Sequence, residues 1–212
     1  VPGGQSAAEI LTAVVQDGLY EHAQFLYSYG EDAATNQFVA LAKRKGFGTI
    51  AMKTARGAGR MLRDRDFMKG FPAGTTPYHA LARWLTTRTQ LDAAVIRINS
   101  LSQFVDTCSG AGKELRAADS QAIGQMTAYA DREVCRLCNR CMPHCPQRLP
   151  IADILRYERY ATDYGDTTRA RRLYARLDRQ ANCCAACKTC LTHCPQGLPI
   201  PDKLTAVHRL LS

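Results

Sequence analysis

The chain has 212 residues, 46% of them hydrophobic, and a formal net charge of +9. This is enough to bury one core and a small second module, and it excludes a disordered or fibrous protein. No run approaches the roughly 18 uninterrupted apolar residues of a membrane helix, so no span is predicted. The chain starts with VPGGQ rather than methionine, so we expect a processed product, a fragment or part of something larger.

Apolar periodicity in the first half predicts helices that alternate with short strands. The first helix is AAEILTAVVQDG, closed by Gly18, and the first strand is HAQFLYSY. Asp32 is predicted to cap a second helix that ends at Gly46, and FGTIAM follows as a buried strand. PYHALARWLTTRT is a third helix, AAVIRI (93–98) a third strand, and Ser100 opens a fourth helix. This order implies parallel strands with crossover helices.

Two segments of this half are expected to lie at the surface of the fold. The connection TARGAGRMLRDRDFMKGFPAGTTP (54–77) is long and rich in Gly and Arg. We interpret it as a mobile surface insertion, with a lid or phosphate-binding loop as the alternative. The strand at 23–28 is expected to be covered by another chain or a rearranged N-terminus, because an open edge of a parallel sheet invites association.

Eight of the ten cysteines form two copies of the pattern C-x2-C-x2-C-x3-C-P. This is the bacterial ferredoxin spacing for 4Fe-4S clusters, in which short turns let three thiolates converge on three irons. In two-cluster ferredoxins the last cysteine of each run crosses to the other cluster. The metal ligands predicted for cluster 1 are Cys135, Cys138, Cys141 and Cys194, and those for cluster 2 are Cys184, Cys187, Cys190 and Cys145.

An internal duplication supports this interpretation. A shift of 49 residues lays HCPQRLPIADIL (144–155) on HCPQGLPIPDKL (193–204). Zinc is the main alternative, since paired C-x2-C knuckles bind it tetrahedrally, but two zinc sites would not need the third C-x2 step or both prolines. Disulfides are disfavoured because such close cysteines have poor bridge geometry. Cys183 is interpreted as a bystander, and Cys108 as a small apolar residue in the core or at a helix end.

Much of the excess positive charge lies between residues 156 and 179. Five arginines lie in the stretch RARRLYARLDR (169–179). Two oxidised clusters would each bring about two negative charges, which leaves the chain basic. We interpret this stretch as a solvated helix face that offsets the cluster charge, with a basic surface that steers an acidic redox donor or acceptor as the alternative. No base-reading motif or aromatic platform supports a nucleic-acid partner.

KGFGTIAMKTARGAG, ALARWL and AAVIRINSLSQF together resemble the last strands of an aldo/keto reductase barrel. Iron-sulfur members of that family carry a C-terminal extension with a C-x2-C-x2-C-x3-CP run, a Tyr- and Arg-rich helical pair with a YGD turn, and a second cysteine run. Here these correspond to 135–146, 151–179 and 184–195. The chain is therefore identified as similar to the C-terminal part of an iron-sulfur aldo/keto reductase.

This resemblance implies an α/β segment followed by a mainly α-helical module. The expected domains are a partial TIM-type (β/α) barrel over 1–112, a connecting helical segment over 113–134, and a bacterial-ferredoxin-like two-cluster 4Fe-4S domain over 135–212. The family's catalytic tetrad comes from early barrel strands that this sequence lacks, so no catalytic residue is implied.

The family also binds nicotinamide phosphate, partly through loops after its last two strands. The resemblance therefore implies Lys53, Thr54, Ser100 and Gln103 as candidate cofactor contacts. The usual glycine after the last strand is replaced within IRINS. Because half a site rarely supplies enough burial, NADP(H) binding by this chain alone is not expected.

The sequence thus predicts an electron-transfer subunit or domain whose two 4Fe-4S clusters relay single electrons to or from a protein partner. One alternative is part of an NADP-dependent aldo/keto reductase whose early barrel comes from a missing segment or another chain. A second is a non-catalytic partner-binding domain with structural clusters. We expect a cytoplasmic location, or export of the folded protein after cluster insertion. A peripheral subunit of a membrane complex is a further alternative.

Overall fold

The computed structural model describes residues 7–31 and 33–212. The VPGGQ start and the predicted cap at Asp32 lie outside the described residues. The described helices are α1 (Ala7–Asp17), α2 (Ala33–Arg44), α3 (Ala58–Arg63), α4 (Arg65–Lys69), α5 (Pro77–Thr86), α6 (Leu101–Gly110), α7 (Ala117–Glu133), α8 (Ile151–Thr162), α9 (Thr167–Ala175), α10 (Thr189–Thr192) and α11 (Ile200–Leu211). The described strands are β1 (His22–Leu26), β2 (Gly48–Met52) and β3 (Ala93–Ala94). None of these helices combines the length and apolarity that a membrane crossing needs.

The three strands form one parallel sheet in the order β1-β2-β3. His22 pairs with Gly48, and the register continues to Leu26 opposite Met52. The central strand β2 buries Thr49 and Ala51 completely. The connections between successive strands contain helices, as parallel pairing requires.

The partial TIM-type (β/α) barrel expected from the resemblance is wrong. The described residues are 56% helical and contain only this small parallel sheet. Barrel closure needs many more strands than three. The predicted strand at 93–98 also shrinks to Ala93–Ala94. β2 ends at Met52, and Lys53 has a φ of 58°, which turns the chain off the sheet and leaves later residues without a partner strand.

The connection 54–77 is partly helical rather than a plain loop, since it contains α3 and α4. Asp64 sets the start of α4, because its carboxylate accepts hydrogen bonds from the backbone N–H groups of Asp66 and Phe67 at 3.1 and 3.0 Å. Ala58 and Met61 on α3 are fully buried. The connection therefore contributes to the core.

Residues 7–129 form one compact unit and residues 130–212 another. In the first unit, Phe25 on β1 packs edge-on against Phe38 on α2, with ring centroids 4.9 Å apart. Helices α5 and α6 cross closely at Gly110, where an added Cβ would lie 2.7 Å from the carbonyl oxygen of His79. Only glycine fits at that crossing without displacing the backbone.

An exposed apolar stripe follows β3 in the first unit. Its residues are Val95, Ile98, Leu101, Phe104 and Val105. Cys108, in the last turn of α6, is exposed too, so it is not a core residue. The expectation that another chain covers the strand at 23–28 stays a prediction.

The second unit repeats one motif twice. In each copy a cysteine-rich loop leads through a short helical turn to a Pro, and an amphipathic helix follows: α8 after Pro150 and α11 after Pro199. The equivalent buried residues are Leu149 with Leu198, Ile151 with Ile200, and Leu155 with Leu204. The duplication predicted from the sequence is therefore present in the fold, and its two copies share one apolar core.

Helix α9 lies between the copies in sequence and packs against both α8 and α11. Tyr174 on α9 is 1% exposed, although it carries a polar hydroxyl. That hydroxyl accepts the backbone N–H of Ala181 at 2.8 Å and is hydrogen-bonded to His208 Nδ1 at 2.9 Å. Satisfying the buried hydroxyl ties the approach to the second cysteine loop to α9 and α11.

Candidate metal centre

Left-handed backbone shapes both cysteine loops. Leu137 and Asn139 have φ angles of 60° and 63°, and their equivalents Ala186 and Lys188 have 51° and 62°. A non-glycine residue in this conformation costs about 1 kcal/mol or more. Such strain at matching positions of both copies is typical of a functional site.

The first set of thiols comprises three cysteines of the first loop and the last cysteine of the second. Burial, together with the neighbouring thiols of Cys135, Cys138 and Cys194, raises the pKa of Cys141 to about 12. Burial likewise raises the pKa of Cys135 to about 11, with Cys138 and Cys194 acting in the same direction. Cys194 therefore lies beside the thiols of the other copy.

The second set is the mirror of the first. Burial raises the pKa of Cys190, and the thiols of Cys184, Cys187 and Cys145 add to the shift. These four cysteines all line one cleft with about 320 Å³ of atom-free space, part of it open to solvent. The other lining residues are Pro146, Gln147, Leu149, Ile151, Ala185, Lys188, Pro201 and Leu204.

Several sulfur atoms already accept hydrogen bonds. The backbone N–H of Leu137 donates to Cys135 Sγ at 3.3 Å, and that of Leu198 donates to Cys194 Sγ at 3.4 Å. The hydroxyl of Thr189 donates to Cys187 Sγ at 3.4 Å, and hydrogen bonding to Thr189 is the main cause of the lowered pKa of Cys187. Such donors stabilise negative charge on sulfur and tune the potential of a bound cluster.

This donor chemistry fits a 4Fe-4S group. Each set offers four soft sulfur ligands, and the second set sits in a cleft walled mainly by apolar side chains. In the part of the chain that the structure describes, no group of three or more His, Cys, Asp or Glu side chains is arranged to hold a metal ion. A single tetrahedral ion draws its thiolates to within about 4 Å of one another, given metal–sulfur bonds near 2.3 Å, whereas a cubane binds each thiolate to a separate iron. The cluster-ligand assignment stays a prediction.

Two histidines meet between the copies. His144 and His193, which precede the crossing cysteines, stack with ring centroids 3.4 Å apart and planes within 5° of parallel. The sequence places them at matching positions, but it does not show that the two segments touch. This contact places the backbones that carry Cys145 and Cys194 side by side.

Two cations lie near the thiols, although the sequence pattern does not predict their positions. Arg159 on α8 lies close enough to Cys135 to lower its pKa against the larger effect of burial, and the Arg159 guanidinium bonds Asp163 at 3.3 Å. Lys188 lines the cleft of the second set. Cys183 is exposed, and its thiol faces the Asn182 side chain at 3.7 Å, outside both sets.

The four candidate nicotinamide-phosphate contacts lie in the first unit, and three of them make local hydrogen bonds. The buried Thr54 hydroxyl donates to the carbonyl of Val95 at 3.1 Å. Ser100 Oγ accepts the backbone N–H of Gln103 at 3.1 Å as the cap of α6. Gln103 Oε1 in turn accepts the N–H of Asn99 at 2.9 Å. Lys53 is exposed at the end of β2. The role of these residues as cofactor contacts stays a prediction.

Comparison with known proteins adds no relative: no protein-family model, no curated protein and no solved structure matches the chain.

Proposed function

We propose that this chain is an iron-sulfur electron carrier that holds two 4Fe-4S clusters and passes single electrons between protein partners. The observation that carries the proposal is the crosswise grouping of eight thiols. Cys145 lines one cleft together with the three second-loop thiols, and Cys194 acts electrostatically on the first-loop thiols Cys135 and Cys141. This exchange follows the ligand pattern of two-cluster ferredoxins.

The chain's own residues supply binding, exclusion of water and charge stabilisation. A bound 4Fe-4S group exchanges one electron at a time. Leu149, Ile151 and Leu204 exclude water from one side of the second set. The N–H and O–H donors to sulfur favour the more negative reduced form, so they raise the reduction potential.

The burial of the first set of thiols disfavours their charged form. Thiols with raised pKa values stay protonated at neutral pH, since a bare thiolate is poorly solvated in an apolar environment. The cysteines of this set would lose their thiol protons on holding a cluster, whose iron would supply the compensating positive charge. The second unit is therefore expected to gain stability when the clusters bind.

Metal analysis of the protein purified without oxygen tests this proposal. We expect about eight irons and eight acid-labile sulfides per chain, together with an EPR signal from reduced clusters that interact magnetically. Zinc in place of iron would contradict the proposal. Iron that cannot be reduced and reoxidised would instead support purely structural clusters. The reductase alternative and the cellular compartment stay predictions.

A further inference from the structure

The two sets of thiols differ in their exposure. In the first loop, Cys135 and Cys138 are only partly exposed, and Cys141 is buried. In the second loop, Cys187 and the neighbouring Lys188 are exposed. The cleft of the second set is also partly open to solvent. Electrons exchange more readily over a short distance, so the second set is the better point of contact for a partner.

Three exposed cations border this cleft, and we call them the basic rim: Arg148, Arg179 and Lys188. Lys188 lines the cleft itself. The Arg179 guanidinium donates to the carbonyl of Gln147, another lining residue, at 3.2 Å. Arg148 follows Gln147 in the chain, and its backbone N–H is bonded to the carbonyl of Cys145 at 2.9 Å. The backbone of the rim is therefore fixed relative to the thiols.

Three other cations of the second unit, Arg136, Arg159 and Lys203, differ from the basic rim because acidic side chains bind them. Lys203 contacts Glu133 at 3.1 Å and Glu158 at 3.8 Å. Arg159 pairs with Asp163. Arg136 likewise pairs with Asp131, at 3.2 Å. Side chains that already hold an acid of their own chain have less charge to offer a partner.

The basic rim continues into a basic stretch of chain. Residues 169–179 contain five arginines and one acid, Asp178. All five arginines are exposed. Arg169 stacks over the ring of Tyr160, and Arg171 donates to the carbonyl of Leu210. This stretch adds exposed positive charge to the part of the chain that leads to Arg179.

We propose that the basic rim docks an acidic surface of a redox protein, so that the second set of thiols marks the point of electron exchange. The inference rests on the proposed function and adds the partner's charge and its place of contact. Complementary charge speeds encounter and fixes orientation, and the attraction weakens with added salt. A rim that only offsets cluster charge would not discriminate between partners.

Binding measured without electron transfer tests the proposal. The probe is a fluorescently labelled flavodoxin of net negative charge, titrated with the iron-loaded full chain and followed by anisotropy at several salt concentrations. The rim variant combines Arg148→Gly, Arg179→Glu and Lys188→Asn. Gly and Asn stand at the equivalent positions of the other copy, Gly197 and Asn139, which have the same left-handed backbone. The control, Lys45→Glu with Arg65→Glu, lowers the net charge equally at exposed positions of the first unit.

We expect the rim variant to bind about tenfold more weakly at low salt and to show a flatter salt dependence, while the control changes less than about twofold. Equal weakening in both variants would overturn the proposal, because net charge alone would then explain it. Tighter, rim-dependent binding of a single-stranded oligonucleotide would overturn the protein partner. Iron content separates the failures: no iron defeats the proposed function, whereas a full complement of iron with unchanged binding defeats only the docking surface.

Discussion

At the scale of residues, the proposed ligand sets differ from the two cysteine loops only in the placement of Cys145 and Cys194. Cys194 lies with Cys135, Cys138 and Cys141 rather than with the loop that precedes it. We therefore predict that Cys194→Ala removes the same cluster as Cys138→Ala and lowers iron to about four atoms per chain. The measurement is iron analysis combined with EPR of the cluster that remains.

The Cys187→Ala variant, which changes a ligand of the other set, is the comparison for Cys194→Ala. That variant should lose the other cluster and leave a different residual spectrum. Cys183→Ala is the matched control, because Cys183 is exposed beside Cys184 but outside both sets, and it should keep all of its iron. If Cys194→Ala gave the residual spectrum of Cys187→Ala, each loop would supply all four ligands of its own cluster.

The stacked histidines make a second prediction at this scale. The rings of His144 and His193 are in contact, so their effects on stability should not be additive. A double-mutant cycle with His144→Ala and His193→Ala should give a coupling of about 1 kcal/mol. The readout is the denaturant midpoint for loss of cluster absorbance. Fully additive effects would show that the ring contact stabilises nothing.

At the scale of elements, Asp119 joins three segments of the first unit. It is fully buried near the start of α7 and accepts hydrogen bonds from Arg116, from Arg83 on α5 and from Thr75. Arg116 is the main cause of its strongly lowered pKa. Asp119→Asn should therefore cost about 3 kcal/mol, because it leaves the Arg83 side chain, which is only 11% exposed, without its anion. The fluorescence of Trp84, the single tryptophan, reports unfolding of this unit.

The same carboxylate predicts how stability depends on pH. Its pKa is lower in the folded chain than in the unfolded chain, so the ionised form favours folding. That contribution is fully present above about pH 4 and is lost as the pH falls further. Between pH 6 and pH 3, the free energy of unfolding should fall more for the native chain than for Asp119→Asn. Asp66→Asn, a control at an exposed ion pair with Lys69, should behave like the native chain.

Elements were predictable where their signal is local. The parallel strands around β2 and the helices α5 and α6 follow from apolar periodicity and from caps such as Ser100. The strand predicted over 93–98 was too long. Its apolar residues suit a strand, but strand pairing depends on where β2 ends. The barrel was predicted from the family resemblance, and three strands are too few to form one.

Across the whole molecule, the candidate site was predictable because its ligands recur at short, fixed spacings. Three thiols within seven residues, repeated once, specify two sets, and the crossing cysteine follows from the family of such motifs. The stacking of His144 on His193 and the position of Arg159 beside Cys135 depend on contacts between distant segments. Spacing along the chain does not encode those contacts.

The division of the chain leads to a prediction for the second unit as a whole. Its buried core is drawn from residues 141–211, and both sets of thiols belong to the same unit. The amide of Gln196 further ties the end of α7 to this unit by donating to the carbonyls of Asp131 and Val134 at 3.1 and 2.9 Å. A fragment spanning 130–212 therefore contains the groups that hold both clusters and the apolar residues that surround them.

We predict that this fragment folds on binding iron and sulfide and retains about eight irons. The same fragment without iron should be less helical, because burial raises the pKa values of Cys135 and Cys141 and so disfavours bare thiolates at these positions. Circular dichroism before and after anaerobic reconstitution, with iron analysis, measures both effects. A fragment with Cys138→Ala and Cys187→Ala serves as the control and should gain neither iron nor helix. Failure of the unmutated fragment to bind iron, while the full chain binds it, would show that residues 7–129 are needed to form the sites.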